Sequence, residues 1–169
     1  MGITPTSNFA LGYSLIGTQL QRQPFWPSGT PWDATGILRS SVKDLLNYLA
    51  AQLGETTISG NPVPTEITQS MQALQQPLSS VPAPYMLPSL GTFYQALPWV
   101  VRLQNPSTNT AQVIGKNGET AGFSSWMSIS PEKNLGVVIL TNTANFDGFE
   151  YDNLLNTLGV NLTQNLPME

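Results

Sequence analysis

The sequence predicts an α+β fold, in which an antiparallel sheet is flanked by a C-terminal helix. Three observations support this. Residues 123–130 show the period-two pattern of a strand, and residues 135–140 form an almost continuous β-branched run. Pro131–Asn134 between them contains residues that are typical of a turn, so the two strands are predicted to form a hairpin. Apolar residues then recur at helical spacing in residues 42–53 and near the C-terminus.

The first third of the chain carries weak signals for regular structure. Phe9–Leu15 is a short strand candidate. Gln19–Trp32 is rich in proline and aromatic residues and is predicted to be a loop. Such a loop either lines a pocket or packs on the domain as an ordered connection, and the second use is the commoner one.

Two helices are predicted in the middle of the chain. Ser40 or Ser41 caps the first, and Gly54 ends it. Its apolar face comprises Val42, Leu45, Leu46, Leu49 and Leu53. The second helix is predicted over Pro64–Gln75. Four further prolines between Gln76 and Pro88 predict an extended, irregular linker.

The last part of the chain is predicted to build the sheet. Leu90–Gln104 reads as two strands interrupted at Pro98, and a loop follows at residues 105–109. Ala111–Ile114 then leads into a strand that carries Lys116. A final helix is predicted over about Phe149–Leu158, because its leucines form an apolar stripe.

Composition excludes several classes of function. A chain of 169 residues suits a single domain. The net charge is −4 and the six Lys and Arg residues are scattered, which argues against nucleic acid or an anionic membrane surface as a partner. No apolar stretch reaches the length of a membrane span. The chain has no Cys and no His, which excludes a thiolate nucleophile, a His-dependent triad and the common zinc sites, and no cofactor is predicted.

The residues Lys116-Asn117-Gly118 are the first candidate for a functional site. A Lys ammonium on a strand beside a cleft attracts a substrate carboxylate or lowers the pKa of a nearby nucleophile. The glycine lets a ligand approach the backbone, where N–H groups can point at a developing oxyanion. Taken alone, the same tripeptide is also typical of a surface turn, and that alternative stays open.

An ordered set of segments resembles the class C β-lactamases and the related penicillin-recognising carboxypeptidases and esterases. Lys116–Phe123 and the hairpin after it resemble that family's Lys-Thr-Gly strand. Leu11–Tyr13 is similar to its Gly-Tyr strand, and Ala34–Leu45 to its Gly-Gly-x-x-Ser-Thr-x-x-Asp-Leu helix entry. Leu90–Tyr94 looks like its Gly-x-Gly-Trp strand, although the second glycine is missing.

The resemblance implies that the catalytic set is incomplete. The family's nucleophile lies in Ser-x-x-Lys, followed by Tyr-x-Asn and then Lys-x-Gly. Ser40–Lys43 and Tyr151–Asn153 match the first two patterns. The Tyr match follows Lys116 instead of preceding it, and Ser40 lies in a segment that resembles a different helix. The chain therefore resembles the C-terminal half of such a hydrolase, and it is expected to be inactive alone. Ser40 is more simply explained as a helix cap than as a nucleophile.

The resemblance also assigns roles and regions. Lys116 would hold the substrate carboxylate, Asn117 replaces the usual Thr, and the Glu119 N–H would be one arm of the oxyanion hole. The Glu119 side chain would disfavour anionic substrates if it faced the site. Residues 16–88 would belong to a partial helical lobe, and residues 89–169 together with 1–15 to the sheet part of one β-lactamase-like region. The parent family is usually exported, but the compartment of this chain is not predicted.

Two alternatives and one assembly hypothesis remain. The chain could instead be a non-catalytic module that binds a carboxylate at Lys116, or a self-contained hydrolase that uses Ser40 and Lys43. In the family, N-terminal strands cover the edge of the strand that matches Leu135–Thr141. Without them that edge would be exposed, so a homo-oligomer or swapped dimer is expected. The expected substrate is a small acyl compound, a β-lactam or a peptide.

Overall fold

The computed structural model describes residues 8–26, 29, 31, 33–83, 88–144 and 150–167. The strands are β1 Tyr13–Ile16, β2 Gln19–Arg22, β3 Thr57–Ile58, β4 Asn61–Pro62, β5 Pro77–Pro82, β6 Tyr94–Ala96, β7 Val100–Arg102, β8 Val113–Thr120, β9 Phe123–Ser130, β10 Leu135–Thr141 and β11 Thr143–Ala144. The α-helices are α1 Asp33–Gly36, α2 Val42–Leu53, α3 Thr65–Ala73 and α4 Glu150–Asn165. The fold is therefore α+β, as the sequence predicts.

The main sheet is antiparallel, with the strand order β10-β9-β8-β7-β6-β5. Two apolar cores lie on its two faces. One contains Val113, Trp126 and Val160 of α4, and the other contains Ile114, Ile129 and Leu49 of α2. Because neighbouring residues on a strand point to opposite faces, β8 and β9 contribute to both cores. Helix α4 thus covers one face of the sheet and α2 covers part of the other.

A smaller sheet has the order β11-β1-β2, and a backbone hydrogen bond from β1 joins it to the tip of the β8–β9 hairpin. The Tyr13 N–H lies 3.0 Å from the Asn142 carbonyl oxygen and 3.2 Å from that of Gly122. Gly122 has φ 79°, and a Cβ there would lie 2.6 Å from the carbonyl carbon of Gly12. Only glycine fits this position, because it takes the left-handed turn and admits the crossing backbone.

Helix α2 begins and ends at the residues that the sequence indicates. The Ser41 side chain accepts a hydrogen bond from the Asp44 N–H at 3.1 Å, so Ser41 is the N-cap. Gly54 ends the helix in the left-handed conformation with φ 98°. Leu49 is buried against Gly136 of β10, where a Cβ would lie 3.3 Å from the leucine side chain. This close approach fixes α2 over β10.

Helix α4 approaches the sheet closely around Trp126. A Cβ on Gly159 would lie 2.1 Å from Trp126 Cδ1, so only a glycine lets the helix rest on the indole. Trp126 Nε1 donates to Ser128 Oγ at 2.8 Å, and Ser128 Oγ lies 2.7 Å from Thr163 Oγ1. Thr163 in turn donates to the Gly159 carbonyl. This buried chain of hydrogen bonds satisfies polar groups that would otherwise destabilise the core.

Three boundaries differ from the sequence prediction. The predicted loop at Gln19–Trp32 contains β2, whose four residues are all exposed, so it forms by pairing with β1 and has no burial pattern. The predicted linker after Gln76 contains β5, whose prolines stand at its two ends on an edge strand, where a missing N–H is tolerated. Helix α4 continues to Asn165, beyond the predicted end at Leu158. The prediction stops too early because the buried polar residues Asn156 and Thr163 interrupt the apolar stripe.

The remaining elements are close to the prediction. β1 spans Tyr13–Ile16, so it begins and ends later than the predicted strand Phe9–Leu15. Helix α3 follows Pro64 as expected. β6 and β7 are separated around Pro98. The predicted start of the last helix, Phe149, lies outside the described residues.

Arg102 of β7 is half-buried and ties a short 3₁₀ turn to the sheet. Its guanidinium donates to the carbonyl oxygens of Leu90 at 3.0 Å and of Ala111 at 3.4 Å. Burial lowers the pKa of Arg102 below its ordinary value. The guanidinium also lies 5.9 Å from the centroid of the Phe93 ring. Arg102 therefore has a structural role within the sheet.

Candidate functional site

The candidate site lies where β8 extends beyond β7. β7 pairs with β8 only at Val113, Ile114 and Gly115. Residues 116–120 pair with β9 on one side, and no strand among the described residues pairs with them on the other. The backbone from Lys116 onwards is therefore an open edge, which the sequence does not reveal.

One face of the β8–β9 hairpin carries Lys116. Alternation places Lys116 and Gly118 on the same face as Ile114, which packs in the core beside α2. Residues opposite each other in a strand pair share a face. Six residues lie on this side between Ile114 and Ile129, and they are called the Lys116 face below: Lys116, Gly118, Thr120, Phe123, Ser125 and Met127, the last of which also packs against the core.

The hairpin geometry sets the direction of the backbone groups on β8. Thr120 and Phe123 flank the two-residue turn Ala121–Gly122. In such a hairpin the flanking residues form a hydrogen-bonded pair, and bonded and non-bonded pairs then alternate along the ladder. Asn117 and Glu119 consequently fall in non-bonded positions, so their N–H and C=O groups point toward the open edge.

The Lys116 ammonium is held beside this edge. Lys116 is half-buried, and its Nζ donates to the backbone oxygen of Asn117 and to Asn117 Oδ1, each at 3.0 Å. An ammonium has three N–H donors and is strongly attracted to carboxylates. Asn117, which replaces the Thr that the resemblance leads one to expect, thus contacts and orients the amine.

The Glu119 side chain points away from Lys116. Alternation places it on the opposite face of β8, where its partner across the ladder is Ser124. Glu119 is exposed. Its carboxylate therefore does not lie on the Lys116 face, while its backbone N–H points toward the open edge.

Ser125 is a residue of this face that the sequence analysis did not single out. It lies directly opposite Gly118, and its Oγ donates to the Gly118 carbonyl oxygen at 3.2 Å. A Cβ on Gly118 would lie 3.2 Å from the same Oγ. Because Gly118 has no side chain, the Ser125 hydroxyl can lie over this part of β8. The alternation of residues 123–130 is the signal that pairs Ser125 with the Lys-x-Gly strand.

The alternative nucleophile pair lies at the start of α2. Ser40 is exposed, and its Oγ lies 3.5 Å from the Ser41 carbonyl oxygen. Lys43 is exposed in the first turn of the helix. Tyr151–Asn153 lie in the first turn of α4, and their side chains are outside the described part of the structure.

Within the described residues, no group of three or more Asp or Glu side chains is placed to hold a metal ion. Over the same part of the chain, no helix is long and apolar enough to cross a membrane.

An α+β fold in which an antiparallel sheet is flanked by a C-terminal helix is consistent with part of the fold of the β-lactamases and penicillin-binding proteins. The chain belongs to the β-lactamase family: the family model described as Beta-lactamase matches residues 6–160. No curated protein matches the chain.

A solved structure supports the fold. The octameric penicillin-binding protein homologue from Pyrococcus abyssi matches with a TM-score of 0.58 and 25% sequence identity. The match covers 80% of this chain and 27% of that protein, so the chain spans about a quarter of its length. Membership of a family of serine hydrolase type follows from the two comparisons together.

Proposed function

We propose that this chain supplies the carboxylate-binding and oxyanion-binding wall of an acyl-transferring serine hydrolase, of the β-lactamase, D-alanyl carboxypeptidase or esterase type. Lys116 binds the carboxylate of the substrate, and Gly118 lets the substrate lie against the strand. The Glu119 N–H donates a hydrogen bond to the oxyanion that forms when the acyl carbonyl is attacked. The observation that carries the proposal is the open edge of β8 from Lys116 onwards, on which the amine and these backbone groups converge.

The nucleophile belongs, in this proposal, to polypeptide outside these residues. A Ser-x-x-Lys nucleophile needs its Lys close enough to take the hydroxyl proton. The closest match here, Ser40 with Lys43, is exposed, and the neighbouring Ser41 is engaged as a helix cap. The chain therefore binds substrate without turning it over until a segment with nucleophile and general base completes the site.

The decisive experiment measures binding of benzylpenicillin and of its methyl ester to the 169-residue chain by calorimetry. Lys116→Gln removes a charge-assisted contact worth about 1.5–3 kcal/mol, so it should weaken binding of the free acid by about 10- to 100-fold. The methyl ester should bind equally weakly to both proteins. Lys43→Gln is the matched control, since it removes the same charge at an exposed site and should leave the affinity unchanged.

Intact-protein mass spectrometry after the same incubation tests where the nucleophile lies. Saturable binding without a mass increase agrees with the proposal. An adduct that disappears in Ser40→Ala identifies the self-contained hydrolase instead. Binding that persists after a complementary segment is added, with no turnover, would favour the non-catalytic carboxylate-binding module.

We also propose that the chain assembles with further copies of itself or with a complementary segment through β10. β10 is the end strand of the main sheet, and Leu140 on it is 39% exposed. An exposed strand edge offers unpaired backbone groups to another strand. The structural neighbour is described as octameric, which supports self-association. Sedimentation that shows a monomer at high concentration would contradict this proposal, and export of the parent protein remains a separate prediction.

A further inference from the structure

Asn117-Gly118 is the only Asn-Gly pair in the sequence, and asparagine is a chemically labile residue. The backbone nitrogen of the residue that follows an asparagine can attack the side-chain carbonyl carbon and close a succinimide ring. Glycine hinders this attack least, because it has no side chain and the widest backbone freedom. The sequence therefore places a site of spontaneous chemistry inside the proposed binding wall.

The carboxamide of Asn117 is held by the amine that the proposed function uses. Lys116 Nζ donates to Asn117 Oδ1 and to the Asn117 backbone oxygen, each at 3.0 Å. A hydrogen bond from an ammonium is charge-assisted, so it polarises the carboxamide and makes its carbon a better target for a nucleophile. Asn117 is half-buried and Gly118 is exposed, so water reaches this part of the strand. Any change in the charge of residue 117 acts directly on Lys116.

The ladder of the β8–β9 hairpin holds the reaction back. The alternation of bonded pairs makes Gly118 and Ser125 a hydrogen-bonded pair, so the Gly118 N–H faces β9. Ser125 Oγ also donates to the Gly118 carbonyl oxygen at 3.2 Å. The glycine nitrogen attacks only when this part of the hairpin opens. Because no strand among the described residues pairs with residues 116–120 on the other side, a single ladder has to open.

We propose that Asn117 is a deamidation site gated by opening of the β8–β9 hairpin, and that its conversion weakens the binding of a carboxylate at Lys116. The Gly118 nitrogen forms a bond to Asn117 Cγ, the Cγ–Nδ2 bond breaks, and the amide group leaves as ammonia with the proton of the glycine nitrogen. Water then opens the succinimide at either carbonyl and leaves aspartate or isoaspartate at position 117. The effect on binding rests on the function proposed above.

Both products place a negative charge beside Lys116. In the aspartate, a carboxylate oxygen takes the place of Asn117 Oδ1, 3.0 Å from Nζ, and accepts from the ammonium. A substrate carboxylate then has to displace that contact and approach a like charge. Isoaspartate also lengthens the main chain by a methylene group, which disturbs the pairing with β9. The affinity for benzylpenicillin should fall by about tenfold or more.

Peptide mapping by mass spectrometry, during incubation at mildly alkaline pH, follows the chemistry without any ligand. Asn117 should convert at least about tenfold faster in urea than in buffer, because unfolding removes the ladder. Ser125→Ala removes a hydrogen bond that holds Gly118, so it should raise the rate in buffer by about 2- to 10-fold and leave the rate in urea unchanged. Ser40→Ala makes the same change at an exposed position outside the hairpin and should alter neither rate.

Two results would overturn the chemical part of the proposal. Asn109 is exposed and is followed by Thr110, whose side chain hinders ring closure, so it serves as an internal reference. An Asn117 that converts no faster than Asn109 in urea would refute the deamidation site. Equal rates of Asn117 conversion in buffer and in urea would refute the gating by the hairpin.

Calorimetry with benzylpenicillin tests the effect on binding. Affinity should decline in step with the converted fraction of Asn117, and Asn117→Asp should bind about tenfold more weakly than fresh wild type. Asn117→Gln keeps a carboxamide but closes the ring far less readily, so it should hold its initial affinity through the same incubation. Conversion without loss of affinity would refute the effect on binding and leave the proposed function standing. If the fresh chain shows no Lys116-dependent binding, the proposed function and this effect fail together, while peptide mapping decides the deamidation site by itself.

Discussion

Substituting Gly159 by Ala tests the contact on which the packing of α4 depends. The new Cβ would lie 2.1 Å from Trp126 Cδ1 and 2.2 Å from Nε1, far inside contact distance. The indole cannot easily retreat, because it is fully buried and its Nε1 is bonded to Ser128. Overpacking of this kind costs about 1–3 kcal/mol, and the better helix propensity of Ala returns about 1 kcal/mol.

We expect the free energy of unfolding to decrease by about 2 kcal/mol. This is the upper end of the overpacking cost less the propensity gain, because the contact is so short. For a chain of this size the loss corresponds to a decrease of about 4–8 °C in Tm. Urea unfolding followed by tryptophan fluorescence measures the free energy, and thermal unfolding measures Tm.

The control and the refuting result come from the same helix. Asn161→Ala changes an exposed position of α4 and should alter stability by no more than about 0.5 kcal/mol. Trp126→Leu replaces the rigid indole, which the new methyl group would meet, by a smaller and more flexible side chain. The double substitution with Gly159→Ala should therefore destabilise the chain by about 1 kcal/mol less than the sum of the two single substitutions. A Gly159→Ala chain as stable as wild type would refute the close packing of α4 on the indole.

Three further substitutions test the elements around the site. Gly122→Ala should cost about 2 kcal/mol or more in urea unfolding, because it strains a left-handed turn and meets the crossing backbone. In the same assay, Ser41→Ala should cost about 1 kcal/mol, because the helix loses its N-cap. Ser40→Ala should cost under about 0.5 kcal/mol. Equal losses would contradict the cap assignment. Arg102→Met should cost about 1–3 kcal/mol, because the Leu90 carbonyl loses its donor, and Arg102→Lys should recover part of this loss in thermal unfolding.

The sequence predicts those elements whose local pattern and tertiary role agree. The strands at residues 123–130 and 135–141 and helix α2 have clear periodicity, and their turn and cap residues mark where they end. β2 and β5 lack such a pattern. The first is wholly exposed and the second is flanked by prolines, so each is defined by the neighbouring strand with which it pairs. No local signal could have found them.

The candidate site divides in the same way. The Lys-x-Gly pattern and strand alternation are local, so Lys116 and the direction of the Glu119 side chain follow from the sequence once the strand is recognised. The open edge depends on where β7 stops pairing with β8, which is a property of two strands. The stacking of Phe25 on Phe123 joins residues almost a hundred positions apart, and no pattern within the sequence relates them.

The position of the Lys116 strand depends on the core beneath it. Gly115, the residue just before Lys116, also packs on Trp126, where a Cβ would lie 2.6 Å from Cζ2 of the indole. Trp126 is therefore enclosed between a glycine of β8 and a glycine of α4, with its Nε1 fixed by Ser128. Since cores of this density transmit displacements instead of absorbing them, a shift of α4 displaces the indole and with it the start of the open edge. The two glycines that admit the indole thus fix the position of β8 just before Lys116, although the strand from Lys116 onwards has no neighbouring strand on its outer side in the described residues.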